Sequence, residues 1–143
     1  MRRDTRFRVL LCTDVLLDLL SPERPQFSEA CEVIELCNGG GDMGFMTVTS
    51  LRDVYHIVRK LRGEPLAREA VATLMDLLVI APLSAEECDI ALRSGEPHFE
   101  DGLVRACAEL NDVDFILTRK KGVFLGSAVR SLDSADYLKF VRS

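Results

Sequence analysis

Four acidic residues stand where chemistry would need them: Asp14, Asp53, Glu100 and Asp101. Each falls in the opening turn of a segment with helical apolar spacing. Crowded carboxylates repel one another, so a cluster of them calls for a counter-charge, and hard oxygen donors suit Mg²⁺ or Mn²⁺. An ion held in this way activates water and stabilises the charge that develops on phosphate in nucleic-acid hydrolysis. The same acids have a plainer explanation, because the helix dipole favours negative charge at helix N-termini. Spacing leaves both readings open. A basic run, Arg119, Lys120 and Lys121, follows Thr118, and Arg52 stands near it in the expected cleft edge. It either binds RNA phosphate or is a solvated turn. His98 reads as an exposed loop residue and His56 as the polar side of a helix. Gly39, Gly40 and Gly41 follow a helix, which makes them a C-cap and turn rather than a phosphate cradle.

The elements that must position these residues alternate along the chain. Residues 7–12 are a short apolar run, read as a first and central strand. Thr13 and Asp14 stop it and cap a helix that Ser21 and Pro22 end. Phe27, Ala30, Cys31 and Ile34 mark a second helix to about Cys37, and 44–48 is the next strand. Ser50 with Asp53 resembles a capping box for a third helix carrying Leu51, Val54, Tyr55 and Val58. A further helix runs to Leu78, residues 79–81 form a strand, and Ser84 with Glu87 caps a helix to about Ser94. Residues 99–110 are helical, 114–118 and 128–132 extended, and Asp133 caps a last helix.

Short strands alternating with helices predict parallel βαβ units. The expected fold is α/β: a three-layer α/β/α sandwich around a central, mostly parallel sheet of about five strands. Ligands bind such sheets beyond the carboxyl ends of the strands. The residues to inspect are therefore 12–14, 49–53 and 118–122, joined by the helix start at 99–101.

At 143 residues, residues 1–143 fit a single domain, and a hydrophobic fraction of 48% can build its core. With 18 Lys plus Arg against 23 Asp plus Glu, the net charge of −5 excludes a surface that is basic throughout. The longest apolar runs are too short to span a bilayer, so no membrane partner is expected. The basic start at residues 1–6 lacks a cleavage pattern, because Asp14 and Asp18 interrupt the apolar run behind it. Five cysteines without a close pair give neither a disulfide framework nor a zinc cage, which points to the cytoplasm. Cys31, Cys88 and Cys107 read as small apolar residues inside helices.

A longer pattern narrows the choice. Val9-Leu10-Leu11-Cys12-Thr13-Asp14-Val15-Leu16-Leu17-Asp18-Leu19-Leu20 resembles the opening motif of the PIN domain family, usually written VLLDTNVLLDLL. Phe99-Glu100-Asp101-Gly102-Leu103 resembles its FEDAL motif, and Phe115-Ile116-Leu117-Thr118-Arg119 its strand ending in Thr-Arg. Leu51-Arg52-Asp53-Val54-Tyr55 matches the segment with its helix-start acid, usually Glu. The last strand and helix correspond as well, so the resemblance covers nearly the whole chain in order.

The resemblance implies a small Mg²⁺- or Mn²⁺-dependent ribonuclease fold of the VapC-like toxin–antitoxin type. It implies single-stranded RNA as substrate, an antitoxin protein as partner, and a homodimer as a frequent state. In that family three or four acids hold the metal. Here the helix acid falls on Asp53 and the FEDAL acid on Asp101. The first-strand acid falls on Cys12, and the fourth position offers Lys120 or Val123 instead. A thiol is a poor ligand for a hard ion. Lys120 could replace the cation by pairing with Asp53 or Asp101. Asp14, where the family usually has Asn, returns one carboxylate near the lost one, as a third metal ligand or a helix N-cap. The expected function is a PIN-type ribonuclease with reduced or lost activity, its catalytic and metal residues Asp53, Asp101 and Asp14, and its RNA contacts Thr118, Arg119, Lys120 and Lys121. The alternative is a non-catalytic scaffold, a pseudoenzyme that binds RNA or a protein. A receiver-like phosphoacceptor is set aside, because no strand ends directly in an acceptor Asp.

Overall fold

The computed structural model describes residues 6–143, so the basic start at residues 1–5 lies outside the described residues. Five strands form one sheet: β1 (Arg8–Leu11), β2 (Met43–Thr47), β3 (Val79–Ala81), β4 (Phe115–Leu117) and β5 (Arg130–Leu132). Their order is β3-β2-β1-β4-β5, and every pairing is parallel. β1 is central, as its apolar run predicts, with Leu10 opposite Phe45 on one side and Ile116 on the other.

Among the described residues, seven helices cover the sheet: α1 (Thr13–Leu19), α2 (Phe27–Cys37), α3 (Val48–Arg62), α4 (Glu64–Leu77), α5 (Ala85–Arg93), α6 (Phe99–Leu110) and α7 (Ser134–Arg142). The strand period of two divides the core. Val9 and Leu11 face one way, into a cluster with Val15 of α1, Val33 of α2, Val54 of α3, Leu74 of α4 and Tyr137 of α7. Leu10 and Cys12 face the other way, against Val104, Cys107 and Ala108 of α6. The result is the three-layer arrangement that the alternation of elements predicts.

Several local expectations shift, and the strands expected at 114–118 and 128–132 shorten to Phe115–Leu117 and Arg130–Leu132. The strand at 44–48 begins and ends one residue earlier, and α3 starts at Val48 with Thr47 as its cap, whose hydroxyl accepts from the Ser50 N–H at 3.0 Å. The last strand residue doubles as the cap, so no loop separates strand from helix and Ser50 with Asp53 forms no box. Asp53 consequently lies in the second turn of α3, beyond the reach of its opening N–H groups. α1 is likewise entered from Cys12, with Thr13 and Asp14 inside its first turn rather than capping it. Cys107 is buried as expected, but Cys88 is exposed and Cys31 only half-buried. The capping box of Ser84 with Glu87 and the Asp133 cap form as the sequence predicts.

Candidate functional site

At the carboxyl edge of the sheet, β1 runs into Cys12, β2 into Thr49 and Ser50, and β4 into Thr118. Together with α6 they frame a cleft of about 480 Å³. It brings Cys12, Asp14, Asp53, Glu100, Asp101 and Lys120 to one lining, with His56 and Val104 among its walls. A larger hollow of about 1190 Å³ opens at the opposite edge, around 36–44 and 75–79. None of the candidate acids reaches it, and parallel sheets place ligands at the carboxyl edge. The smaller cleft is therefore the candidate site.

Cys12 is 7% exposed. Burial pushes its thiol above the ordinary value of 9.0; the charges of Asp14 and Asp101 push the same way, against Lys120 and a hydrogen bond with Thr118. It stands in the cleft wall as a neutral thiol.

Asp14 faces β4. Its Oδ2 accepts from the Thr118 hydroxyl at 3.1 Å and from the Arg119 N–H at 2.7 Å, and Oδ1 lies 3.3 Å from the same hydroxyl. One turn on, Asp18 is 1% exposed. It accepts the fork of Arg119, Nε at 3.0 Å on Oδ2 and a terminal nitrogen at 2.9 Å on Oδ1, and Arg24 adds a bond at 3.1 Å. Two acids spaced i and i+4 on α1 thus grip the segment after β4.

That grip decides what the basic run does. Thr118 is buried, and its oxygen also accepts the Lys120 N–H at 3.1 Å. The Arg119 side chain is committed to Asp18. Lys120 turns into the cleft and places Nζ 3.2 Å from Oδ1 of Asp101, whose side chain is 8% exposed. Burial alone would lower the Lys120 ammonium, but the hydrogen bond and charge of Asp101 outweigh it, so the shift is upward. Lys121 is exposed. Val123 is half-buried and packs against the core cluster around Leu10 rather than lining the cleft. Beyond it, the Phe124 N–H donates to Glu96 at 3.0 Å, and Arg105, paired with Glu96, donates to the Gly126 carbonyl at 2.9 Å. His98 is exposed, and Glu100 lines the cleft from the first turn of α6.

The donor set can be tested against a hard divalent ion. Such an ion wants several free carboxylate or carbonyl oxygens. Here the first-strand position carries a neutral thiol, Asp14 is held by Thr118 and Arg119, and Asp101 is paired with an ammonium. Among the described residues, no three His, Cys, Asp or Glu side chains are grouped to hold a metal. Asp53 lines the cleft and, among the described residues, has no hydrogen-bond or ion-pair partner for its carboxylate. As they stand, these residues do not fit Mg²⁺ or Mn²⁺.

Sequence reasoning missed Asp18, Glu96 and Arg105. A signal for Asp18 existed: a charge one turn after Asp14 on an otherwise apolar helix needs a partner.

Comparison with known proteins bears on the whole arrangement. The sequence profile of a family described as PIN domain matches residues 8–122. Among solved structures, VapBC2 from Rickettsia felis, bound to a DNA fragment from its promoter, is similar over 88% of this chain and 98% of its own, at 12% identity and TM-score 0.67. A toxin–antitoxin complex from Klebsiella pneumoniae covers 88% of this chain and 97% of its own, at 21% identity and TM-score 0.66. VapC20 from Mycobacterium tuberculosis, described as a sarcin-ricin-loop-cleaving toxin, covers 76% and 86%, at 13% identity and TM-score 0.61. At such identities these likenesses speak to the fold. No curated protein matches the chain.

Proposed function

The chain belongs to the PIN domain family, and from that premise we propose that it is the toxin-type member of a toxin–antitoxin pair, directed at RNA, in which metal-dependent phosphodiester cleavage is reduced or lost. The observation that carries this reading is the Lys120 ammonium seated 3.2 Å from Asp101 in a cleft that Asp14 and Asp53 also line. The acids sit where this fold class binds ligands, yet their counter-charge comes from the chain itself. Four carboxylates in the lining, Asp14, Asp53, Glu100 and Asp101, face one ammonium. A phosphate entering that cleft meets net negative charge, which opposes both binding and attack. Lys121 at the exposed turn remains a basic contact for RNA outside the cleft.

An antitoxin is the partner this reading calls for, supported by the complexes among the structural neighbours. Five free cysteines and, among the described residues, no helix long and apolar enough to cross a membrane support a reducing, cytoplasmic setting.

The test is cleavage of labelled single-stranded RNA with Mn²⁺, comparing the native chain, Asp101→Asn, and Cys12→Asp combined with Lys120→Asp. The native chain should cut no faster than Asp101→Asn within a few-fold, and the restored variant about tenfold faster or more. Metal-dependent cleavage by the native chain that equals the restored variant and disappears in Asp101→Asn would overturn the reading.

A further inference from the structure

The cleft carries a cation of its own, and it is delivered by a rigid support. We infer that the Lys120 ammonium is the resident counter-ion of the carboxylates at the sheet edge, and that the Lys120–Asp101 pair and a divalent cation exclude one another there. The inference concerns what the cleft binds, and it stands whether or not RNA is the ligand.

Three observations carry it. First, the ammonium is already on the acid that would have to anchor a metal: Nζ lies 3.2 Å from Asp101, which is 5% exposed and so has little water to exchange for another partner. A divalent ion on the same carboxylate would sit beside a like charge, and one of the two would have to leave.

Second, the segment bearing Lys120 is fixed on both sides. Upstream, Thr118 and Arg119 are held by Asp14 and Asp18. The Lys120 N–H itself rests on the Thr118 hydroxyl. Downstream, Glu96 accepts from the Phe124 N–H, and Arg105 donates to the Gly126 carbonyl. With the backbone set, forming the pair costs only the rotamers of one lysine. The Lys120 side chain is itself 57% exposed, so the pair rests on this placement and on the buried Asp101 rather than on burial of the ammonium.

Third, the same upstream anchor removes the substitute ligand. Asp14 lines the cleft but spends its oxygens on Thr118 and Arg119, so the acid two residues from Cys12 is already hydrogen-bonded rather than free for an ion. One segment therefore inserts a cation and engages a carboxylate. Asp53, left without a partner among the described residues, is the acid that a metal could recruit once Lys120 is gone.

The test follows Mn²⁺ binding through loss of the free-ion electron paramagnetic resonance signal, on the full chain. Lys120→Met keeps the stem of the side chain and removes its charge. It should bind one Mn²⁺ at least tenfold more tightly than the native chain, and adding Asp101→Asn should cancel that gain. Asp101→Asn alone should leave the native chain's weak Mn²⁺ binding unchanged, because Lys120 already occupies that carboxylate. Native binding as tight as that of a folded Lys120→Met variant, or native binding weakened by Asp101→Asn, would overturn the inference. If Lys120→Met fails to give a native circular-dichroism spectrum, the Asp101→Asn arm decides alone. RNA cleavage enters none of these readouts, so failure here and failure of the ribonuclease reading are separable.

Discussion

Asp18→Asn probes the grip on which the cleft depends. The side chain is 1% exposed and accepts three bonds, two from the Arg119 fork and one from Arg24. The amide keeps the shape but not the charge, and its NH₂ must face a guanidinium. Breaking a buried pair from one side costs about 3–5 kcal/mol. Both arginine side chains are 37% exposed, so part of their charge returns to water and the loss falls to about 2–3 kcal/mol. For a chain of this length that is a Tm drop of about 6–10 °C. Thermal and urea unfolding measure it, and amide exchange at Arg119 should accelerate in the same variant because its hydrogen-bonded segment loses one of two anchors. Arg119→Met should be non-additive with Asp18→Asn by about 1.5 kcal/mol or more in a double-mutant cycle. A Tm shift below about 2 °C with additive double-mutant behaviour would refute the reasoning, since that is how an exposed pair behaves.

Alkaline pH should destabilise the fold early. Burial raises the thiols of Cys12, Cys37 and Cys107 above 9.0, Cys37 to about 12 and Cys107 to about 11. Their contribution is complete below pH 9; above it the unfolded chain loses protons the native chain keeps, so stability falls as pH rises, by about 1.4 kcal/mol per pH unit per thiol. Urea midpoints between pH 8 and 10.5 should drop, with a shallower slope for Cys107→Ala; a flat profile contradicts the burial. Lys120 acts in the same direction, but only above its ordinary 10.5. Gly44→Ala should cost about 1–3 kcal/mol by overpacking, because a Cβ would lie 2.5 Å from Leu78 Cδ2 and 2.9 Å from Cys37 Sγ. Unchanged denaturant stability would mean α2 and the end of α4 yield without strain.

Much of the scaffold is written locally and can be read from the chain. β1 is recognisable as central because an apolar run without alternation belongs to a strand covered on both faces. α6 occupies Phe99–Leu110, the span that the spacing of Leu103, Val104, Cys107 and Leu110 predicts. The start of α3 is not legible in the sequence, because a threonine can end a strand and cap a helix at once, which leaves no loop signal.

The site is legible by edge and residue type, less so by partner. Placing residues 12–14, 49–53, 99–101 and 118–122 at one edge needs only the parallel topology. Charge alone leaves Lys120 free to pair with Asp53 or Asp101, and distance selects Asp101. The Arg119–Asp18 fork joins residues 101 positions apart, and no local pattern announces such a contact. A run of Thr, Arg and two Lys therefore reads as a solvated basic patch, whereas burial of Thr118 and the two acids of α1 turn half of it inward.

The most direct test of an Asp101 paired from within is a crystal of the native chain soaked in Mn²⁺, with anomalous diffraction data. No anomalous peak is expected between Asp53 and Asp101, with Lys120 Nζ still in hydrogen-bond range of Asp101. A Mn²⁺ peak on those two carboxylates, with the Lys120 side chain swung out to solvent, would contradict the pairing.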